Sequence, residues 1–401
     1  MSKEKKIIIV GGGIIGLSAA LNIKLKSPNT QLILIEKEIS LASHQTSHNS
    51  GVIHSGLYYK PGSLKAINCQ IGYKLMLDFC NKYSIPHKIC GKIVVARSSS
   101  EIPILRNLHL RGLANGLKDL KFLNLNEIQE IEPHCIGIQG LLVPQTGIVD
   151  YASVARKMQE LLENMGVEIL LGEAVLDLKS YENKVEISSK LKTWIGDAAV
   201  ICAGLQSDRL ALKSDPNLPL RILPFRGEYY QFKLNAPKLV NNLIYPVPDP
   251  AFPFLGVHFT RMINGNIECG PNAIFSLGRE TYKKTEFNLR DLADSLAWSG
   301  FRAIIKKHWR KGLDEYYRSF SKTAFVKELQ KYIPDIKSDY LEPGEAGIRA
   351  QACDQKGNLL DDFEIFKHNN IIHVCNAPSP AATASLAIGK RIADSIMEID
   401  F

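Results

Sequence analysis

The chain opens on Lys5 to Val10, KKIIIV, a continuous β-branched run that predicts a short strand buried on both faces of a parallel sheet. Glycines at 11–13 end it. A helical pattern runs from Ile14 to about Lys26 and stops at Ser27, Pro28 and Asn29, and Gln31 to Glu36, QLILIE, predicts a second buried strand. These three elements make a βαβ unit. Residues 151–166 place Val154, Leu161, Leu162 and Met165 at helical spacing. Strands are predicted at 167–171, 174–178 and 198–202, and a last strand at 370–375 precedes a small-residue helix at 381–397. Segments of another character lie between: 88–97, 220–234, 243–248, 254–262 and 266–270 read as strands separated by turn residues, and 288–311 and 322–333 as helices. The pattern predicts an α/β protein. Residues 1–85, 145–215 and 345–401 are expected to form a Rossmann-type, glutathione-reductase-like nucleotide domain. Residues 86–144 and 216–344 are expected to form an inserted, mainly antiparallel β substrate domain flanked by helices. The sequence contains no internal repeat or low-complexity tract.

Composition narrows the class without reaching a function. The 401 residues, 45% of them hydrophobic, suffice for two or three domains with a large core. A mean hydropathy of −0.06 excludes a disordered, collagen-like or multi-span membrane chain. The formal charge of +8 suits nucleic acid, an anionic membrane surface or an acidic small substrate. Cysteines at 69, 80, 90, 135, 202, 269, 353 and 375 show no CxxC and no paired metal-ligand spacing, and read as buried small hydrophobes in a reducing cytosol. Met1 to Val10 imitates the start of a signal peptide, yet the glycines cut the apolar run short, so a cytoplasmic protein is expected. No stretch approaches the roughly 18 apolar residues of a spanning helix, and any contact with the inner face of the cell membrane would be peripheral.

The candidate chemistry begins at Gly11, Gly13 and Gly16, a GxGxxG pattern between strand and helix. The first glycine permits the tight turn, the second lets the backbone approach a pyrophosphate, and the third lets helix pack on sheet. The helix N-terminus offers N–H donors, and Glu36, closing the second strand, would accept hydrogen bonds from the adenosine ribose. Residues 44–59, HQTSHNSGVIHSGLYY, form a long polar stretch where an extended FAD would run toward its flavin. At 377–385, a helix opening in small residues after Pro380 could stabilise negative charge on a reduced flavin, or simply pack tightly on the sheet.

The segments GGGIIGLS (11–18), HNSGVIHSGLYYKPGSLKA (48–66), PQTGIVDY (144–151), VICAGLQSDRLA (200–211), PFRGEYY (224–230), YPVPDP (245–250), LGVHFTR (255–261), GIRAQ (347–351) and APSPAATASLAIGKRIA (377–393) together resemble the L-2-hydroxyglutarate dehydrogenase family of the D-amino-acid oxidase superfamily. They cover nearly the whole chain, in order. The resemblance implies FAD, oxidation of L-2-hydroxyglutarate to 2-oxoglutarate, and delivery of electrons toward membrane quinones. It implies cofactor contacts at Gly11, Gly13, Gly16, Glu36 and Lys37, at Thr46 and Ser47 near phosphates or flavin, at Val175 near adenine, and at Ala203 and Gly204. Arg349, Ser379 and Thr383 would face the flavin end.

Oxidising a 2-hydroxy acid requires loss of the Cα hydrogen as hydride and removal of the hydroxyl proton by a base. His54, in the flavin-side loop, and His258, on a predicted strand, are the candidates. A dicarboxylate needs a cation for each carboxylate, drawn from Arg226, Arg261, Lys60 and Arg349, with Tyr58, Tyr59 and Tyr245 as hydroxyl donors. An amino-acid or amine oxidase of the same fold would need only one carboxylate clamp. A non-catalytic dinucleotide-binding factor would use the positive surface, but no basic patch interleaved with aromatics marks a nucleic-acid partner. Trp298, Phe301, Ile305 and Trp309 share a helical face beside Arg302, Lys306, Lys307, Arg310 and Lys311, which suits a core-facing stripe or an anionic membrane. The electron acceptor, whether a quinone, O₂ or a protein, stays open.

Overall fold

The computed structural model describes residues 5–249 and 255–399. Met1 to Glu4, Pro250 and Phe254 lie outside the described residues, as does the side chain of Lys311. A six-stranded sheet runs in the order Glu364–His368, Ile371–Asn376, Ala198–Ile201, Lys6–Val10, Gln31–Ile35, Glu168–Leu170. Every neighbour is parallel except the first pair. Ile7, Ile8 and Ile9 are fully buried, because both faces of the sheet are covered. Helices Ile14–Lys26, Leu64–Lys82, Tyr151–Asn164 and Ala381–Met397 share a core on one face. The antiparallel strands Asp177–Ser180, Val185–Ser188 and Thr193–Gly196 cover the other. The small residues of the last helix have a mechanical reason: a Cβ on Gly389 would stand 2.2 Å from Ser18 Oγ. Ser18 Oγ in turn donates to the Ser385 carbonyl at 2.9 Å.

A nine-stranded, mainly antiparallel sheet forms the second layer. Leu220–Phe232 and Leu341–Asp354 pair along their length, from Leu220 opposite Asp354 to Phe232 opposite Leu341. Beyond them come Ile267–Gly270, His258–Arg261, Leu243–Pro246 and Lys92–Ala96, the last two parallel with Tyr245 opposite Val94. Alternation along each strand sorts side chains to two faces. Ile93, Ile244 and Phe259 pack with Phe325 and Leu329 of the Lys322–Gln330 helix. Val94, Leu243 and Tyr245 pack instead against Leu57 and helix Ile102–Ala114. That second face looks toward the polar loop after the first βαβ unit.

Several elements depart from the sequence pattern. The predicted strand 88–97 breaks at Gly91, whose φ is +76°, into His87–Ile89 and Lys92–Ala96. The predicted helix 288–311 breaks at Trp298, giving Leu289–Ala297 and Ser299–Phe320. Trp298 is drawn into the body of the protein by its Nε1 bond to the Cys353 carbonyl and the Arg221 guanidinium over its ring. The apolar stripe divides accordingly. Phe301 is buried against Phe225 and Cys353, whereas Ile305 and Trp309 are exposed and continue into exposed Leu313, Tyr317 and Phe320. The predicted strand 174–178 pairs only from Asp177, and the helix Leu64–Lys82 has no counterpart in the pattern as read.

Candidate active site

The glycine loop is built by exclusion. A Cβ on Gly11, where φ is +106°, would stand 2.2 Å from the Cys202 carbonyl oxygen, and one on Gly16 would stand 2.0 Å from the Gly11 carbonyl oxygen. Gly13 is different: its nearest neighbour would be Thr46 Oγ1 at 3.4 Å, an ordinary contact. The first and third glycines are therefore demanded by the protein itself. The absence of a side chain at Gly13 leaves a backbone surface open beside the helix N-terminus, where the N-cap glycine offers no side-chain acceptor and the first turn no acid. Glu36 is buried beside the loop, Oε2 accepting the Gly12 N–H at 2.7 Å and Oε1 the Glu38 N–H at 3.0 Å. Its remaining lone pairs suit ribose hydroxyls. These residues fit an adenine dinucleotide.

The remaining expected cofactor residues divide. Ala203 and Gly204 follow the Ala198–Ile201 strand at the loop, and Val175 lies just beyond Glu173, whose N–H donates to the Glu36 carbonyl. Ser379 Oγ stands 3.3 Å from His54 Nε2. Others are engaged within the protein. Lys37 is held by Glu38, by Glu280 at 2.9 Å and by His44 at 2.9 Å. Thr46 Oγ1 accepts the Ile14 N–H and Ser47 Oγ donates to the Ala42 carbonyl. Thr383 Oγ1 accepts the His54 N–H at 3.0 Å and lies 2.8 Å from the Tyr151 hydroxyl, clipping the loop to the start of the last helix.

His258 is buried, and its Nδ1 lies 2.8 Å from the Gly256 carbonyl. A carbonyl only accepts, so Nδ1 carries the proton and Nε2 keeps a lone pair. The imidazole packs against Tyr245 with the two rings tilted by 37°, 4.1 Å between centroids. Burial, with the charges of Arg349 and Lys92, pushes its pKa down to about 3. His54 is likewise pushed down to about 3, by burial and by Lys92, His258 and Lys65. Both rings are neutral near pH 7. Arg349, on the Leu341–Asp354 strand, exerts its charge on Tyr229, Tyr245 and His258. Tyr59 is buried and bonds Ser379, and the Tyr58 hydroxyl is buried without a hydrogen-bond partner among the described residues.

Three expected substrate groups lie elsewhere. Arg226 is buried in an ion pair, its Nη2 3.0 Å from Glu228 Oε1, with Nη1 donating to the Lys283 carbonyl, so its guanidinium serves the fold. Arg261 is an odd number of residues from His258 and so falls on the opposite face, donating to the Asn241 carbonyl. Lys60 is exposed. Two members of the cluster were not among the expected site residues: Lys92, fully buried at a strand start and in none of the quoted segments, and Tyr229, in PFRGEYY, whose hydroxyl burial pushes up to about 12. The hydrophobic run after Lys92 was the one available signal, since a charge heading a buried strand requires a reason.

Known proteins show the same architecture. A family model described as FAD dependent oxidoreductase (DAO) matches residues 6–395. The chain is 49% identical to L-2-hydroxyglutarate dehydrogenase of Indibacter alkaliphilus, over 97% of this chain and 98% of that one. It is 45% identical to the mitochondrial enzyme of that name from Nematostella vectensis, over 99% and 91%, and 41% identical to that of Escherichia coli K12, over 98% and 93%. Among solved structures it is similar to FAD-bound L-alpha-glycerophosphate oxidase from Mycoplasma pneumoniae, with a TM-score of 0.79, 22% identity and 99% and 96% of the two chains covered. Glycine oxidase from Geobacillus kaustophilus follows at a TM-score of 0.74 and 16% identity, with the same coverage. FAD is the cofactor that the glycine loop, Glu36 and this kinship define, and the chain belongs to the FAD dependent oxidoreductase (DAO) family, alongside its L-2-hydroxyglutarate dehydrogenases.

Proposed function

We propose that the protein oxidises L-2-hydroxyglutarate to 2-oxoglutarate, with His258 as the base and Arg349 as a carboxylate clamp. The observation that carries this reading is a neutral imidazole, its Nδ1 proton anchored on Gly256, under the charge of Arg349. Bound FAD supplies the two-electron acceptor for the hydrogen leaving Cα. His258 Nε2 takes the hydroxyl proton. A pKa of about 3 makes a weak base, but a dianionic substrate offsets the cations that depress it, so basicity rises when substrate arrives. His54, bonded to Ser379 and clipped to Thr383, positions the flavin-side loop, while Tyr245 supports the His258 ring and Tyr59 lines the site.

The cofactor contacts belong to the same proposal. Gly11, Gly13, Gly16, Glu36, Val175, Ala203 and Gly204 serve the adenosine and pyrophosphate half, and Ser379 the flavin half. For the acceptor, the exposed stripe of Ile305, Trp309, Leu313, Tyr317 and Phe320, beside exposed Lys306, Lys307 and Arg310, supports peripheral contact with an anionic membrane and electron delivery to a quinone. Among the described residues no helix is long and apolar enough to cross a membrane.

Anaerobic mixing of the flavin-loaded protein with L- and D-2-hydroxyglutarate, L-lactate, L-malate and glycine tests the reaction. Loss of flavin absorbance with L-2-hydroxyglutarate in preference to the others is expected. Bleaching by glycine with release of ammonia would overturn the reading in favour of an amine oxidase. Salt-sensitive co-sedimentation with anionic liposomes, lost on replacing Trp309 and Lys306, is expected for the membrane contact; unchanged sedimentation would remove it.

A further inference from the structure

Lys92 opens the strand Lys92–Ala96 and is 2% exposed. Its Nζ lies 4.4 Å from the Tyr58 ring centroid and 4.8 Å from that of Tyr245. No carboxylate pairs with it among the described residues. Burial pushes the Lys92 pKa down to about 7, so near neutral pH the free amine and the ammonium coexist, and an arriving anion favours the ammonium. The one neighbour acting the other way, Cys69, has its thiol pushed up to about 12 by burial, stays protonated and supplies no counter-charge. The other titratable groups within its field, His54 and His258, are neutral. A buried ammonium with only aromatic faces around it is costly to the fold, and two cation–π contacts offset part of that cost. The Tyr58 hydroxyl, also buried and without a partner, adds an unused donor at the same place. A buried amine without a carboxylate and a buried hydroxyl without an acceptor, side by side, are groups that an anion would complete.

We propose that Lys92, with the Tyr58 hydroxyl, receives the distal carboxylate of the substrate and thereby selects a dicarboxylic over a monocarboxylic 2-hydroxy acid. This rests on reading the cluster as a 2-hydroxy acid site. The assignment of ends follows from His258. The base must touch the hydroxyl at C2, and the C1 carboxylate is bonded to that carbon. Lys92 Nζ contacts the rings of Tyr58 and Tyr245, and Tyr245 in turn packs on His258, so the ammonium stands one ring removed from the base; Lys92 takes the far end and Arg349 takes C1. The chemistry agrees: a planar guanidinium fixes the reacting end in two contacts, whereas a point charge tolerates the flexible end.

The test uses the flavin-loaded protein and two unreactive five-carbon acids, glutarate and valerate, with binding followed by perturbation of the flavin spectrum. Wild type is expected to bind glutarate more tightly. Lys92→Met should weaken glutarate about 100-fold and valerate less than about 3-fold, Tyr58→Phe should weaken glutarate about 10-fold, and Lys92→Arg should restore part of the preference. Lys92→Met should also melt at or above the wild-type temperature, because it removes an unpaired buried charge. An equal loss for both acids, or an unchanged preference accompanied by a lower melting temperature, would overturn the assignment. Reduction by L-2-hydroxyglutarate is measured separately. If wild type is not reduced while the glutarate preference still depends on Lys92, the proposed reaction fails and the Lys92 assignment stands.

Discussion

The glycine loop and the cluster around His258 are assembled in opposite ways. The loop is local in sequence: Gly11, Gly16 and Glu36 lie within one βαβ unit, and their roles follow from steric exclusion, at Gly11 by the Cys202 carbonyl after a neighbouring strand, and a single buried carboxylate. The cluster is long-range, with Lys92, Tyr229, Tyr245, His258 and Arg349 on five different strands and His54 and Tyr58 on a loop from the other layer. In the loop, Gly11 and Gly16 are necessary to the backbone around them. In the cluster, the Tyr58 hydroxyl has no hydrogen-bond partner and Lys92 no carboxylate among the described residues, as expected where a ligand completes the structure.

The largest effect expected from this contrast is at Gly11. Gly11→Ala combines a left-handed φ with a 2.2 Å clash and should cost more than about 3 kcal/mol, read as loss of folded protein. Gly13→Ala should leave the melting temperature of flavin-free protein unchanged while lowering FAD content; equal behaviour of the two variants would break the comparison. Arg226→Met should come next, at about 2 kcal/mol, because it removes the buried cation from Glu228 Oε1 and leaves only Lys284, Asn272 and Ser319 to hold the carboxylate through Oε2. Denaturant unfolding measures it, and an unaltered glutarate preference in the folded fraction would confirm that Arg226 serves the fold alone.

His258→Asn should retain FAD and lower the rate of flavin reduction by substrate about 100-fold or more, measured by anaerobic stopped flow. The same variant carries a pH signature. Folded His258 resists protonation down to about 3, whereas the unfolded side chain protonates near 6.5, so its contribution to stability is full above 6.5 and falls as pH drops toward 3. His258→Asn should flatten the decline in melting temperature between pH 6.5 and 4. Glu268, raised to about 7 by burial and by Glu345, acts in the opposite sense over part of this range but is common to both proteins. At the small end, exposed Lys60→Ala should change flavin reduction by less than about 2-fold.

The difference between the two regions also explains what was legible in the chain. Runs such as KKIIIV and QLILIE carry their burial in their own composition, and the helix Ile14–Lys26 matches its periodicity end to end. The helix around Trp298 was misread because what breaks it, a bond to Cys353 and a cation from Arg221, comes from distant segments. Arg226 and Arg261 stood beside Arg349 as candidate cations for the carboxylates. Only the pairing partner of one and the strand face of the other separated them.

By itself, then, the sequence determined the dinucleotide loop, the buried parallel strands and, through its resemblance to a family, the cofactor and the class of substrate. Those features depend on contacts within a few turns or on motifs that span the whole chain. The tertiary structure decided which charges face inward together. Whether a lysine such as Lys92 meets a carboxylate, a tyrosine ring or a ligand depends on strands far apart in the chain, and no local pattern encodes that neighbourhood.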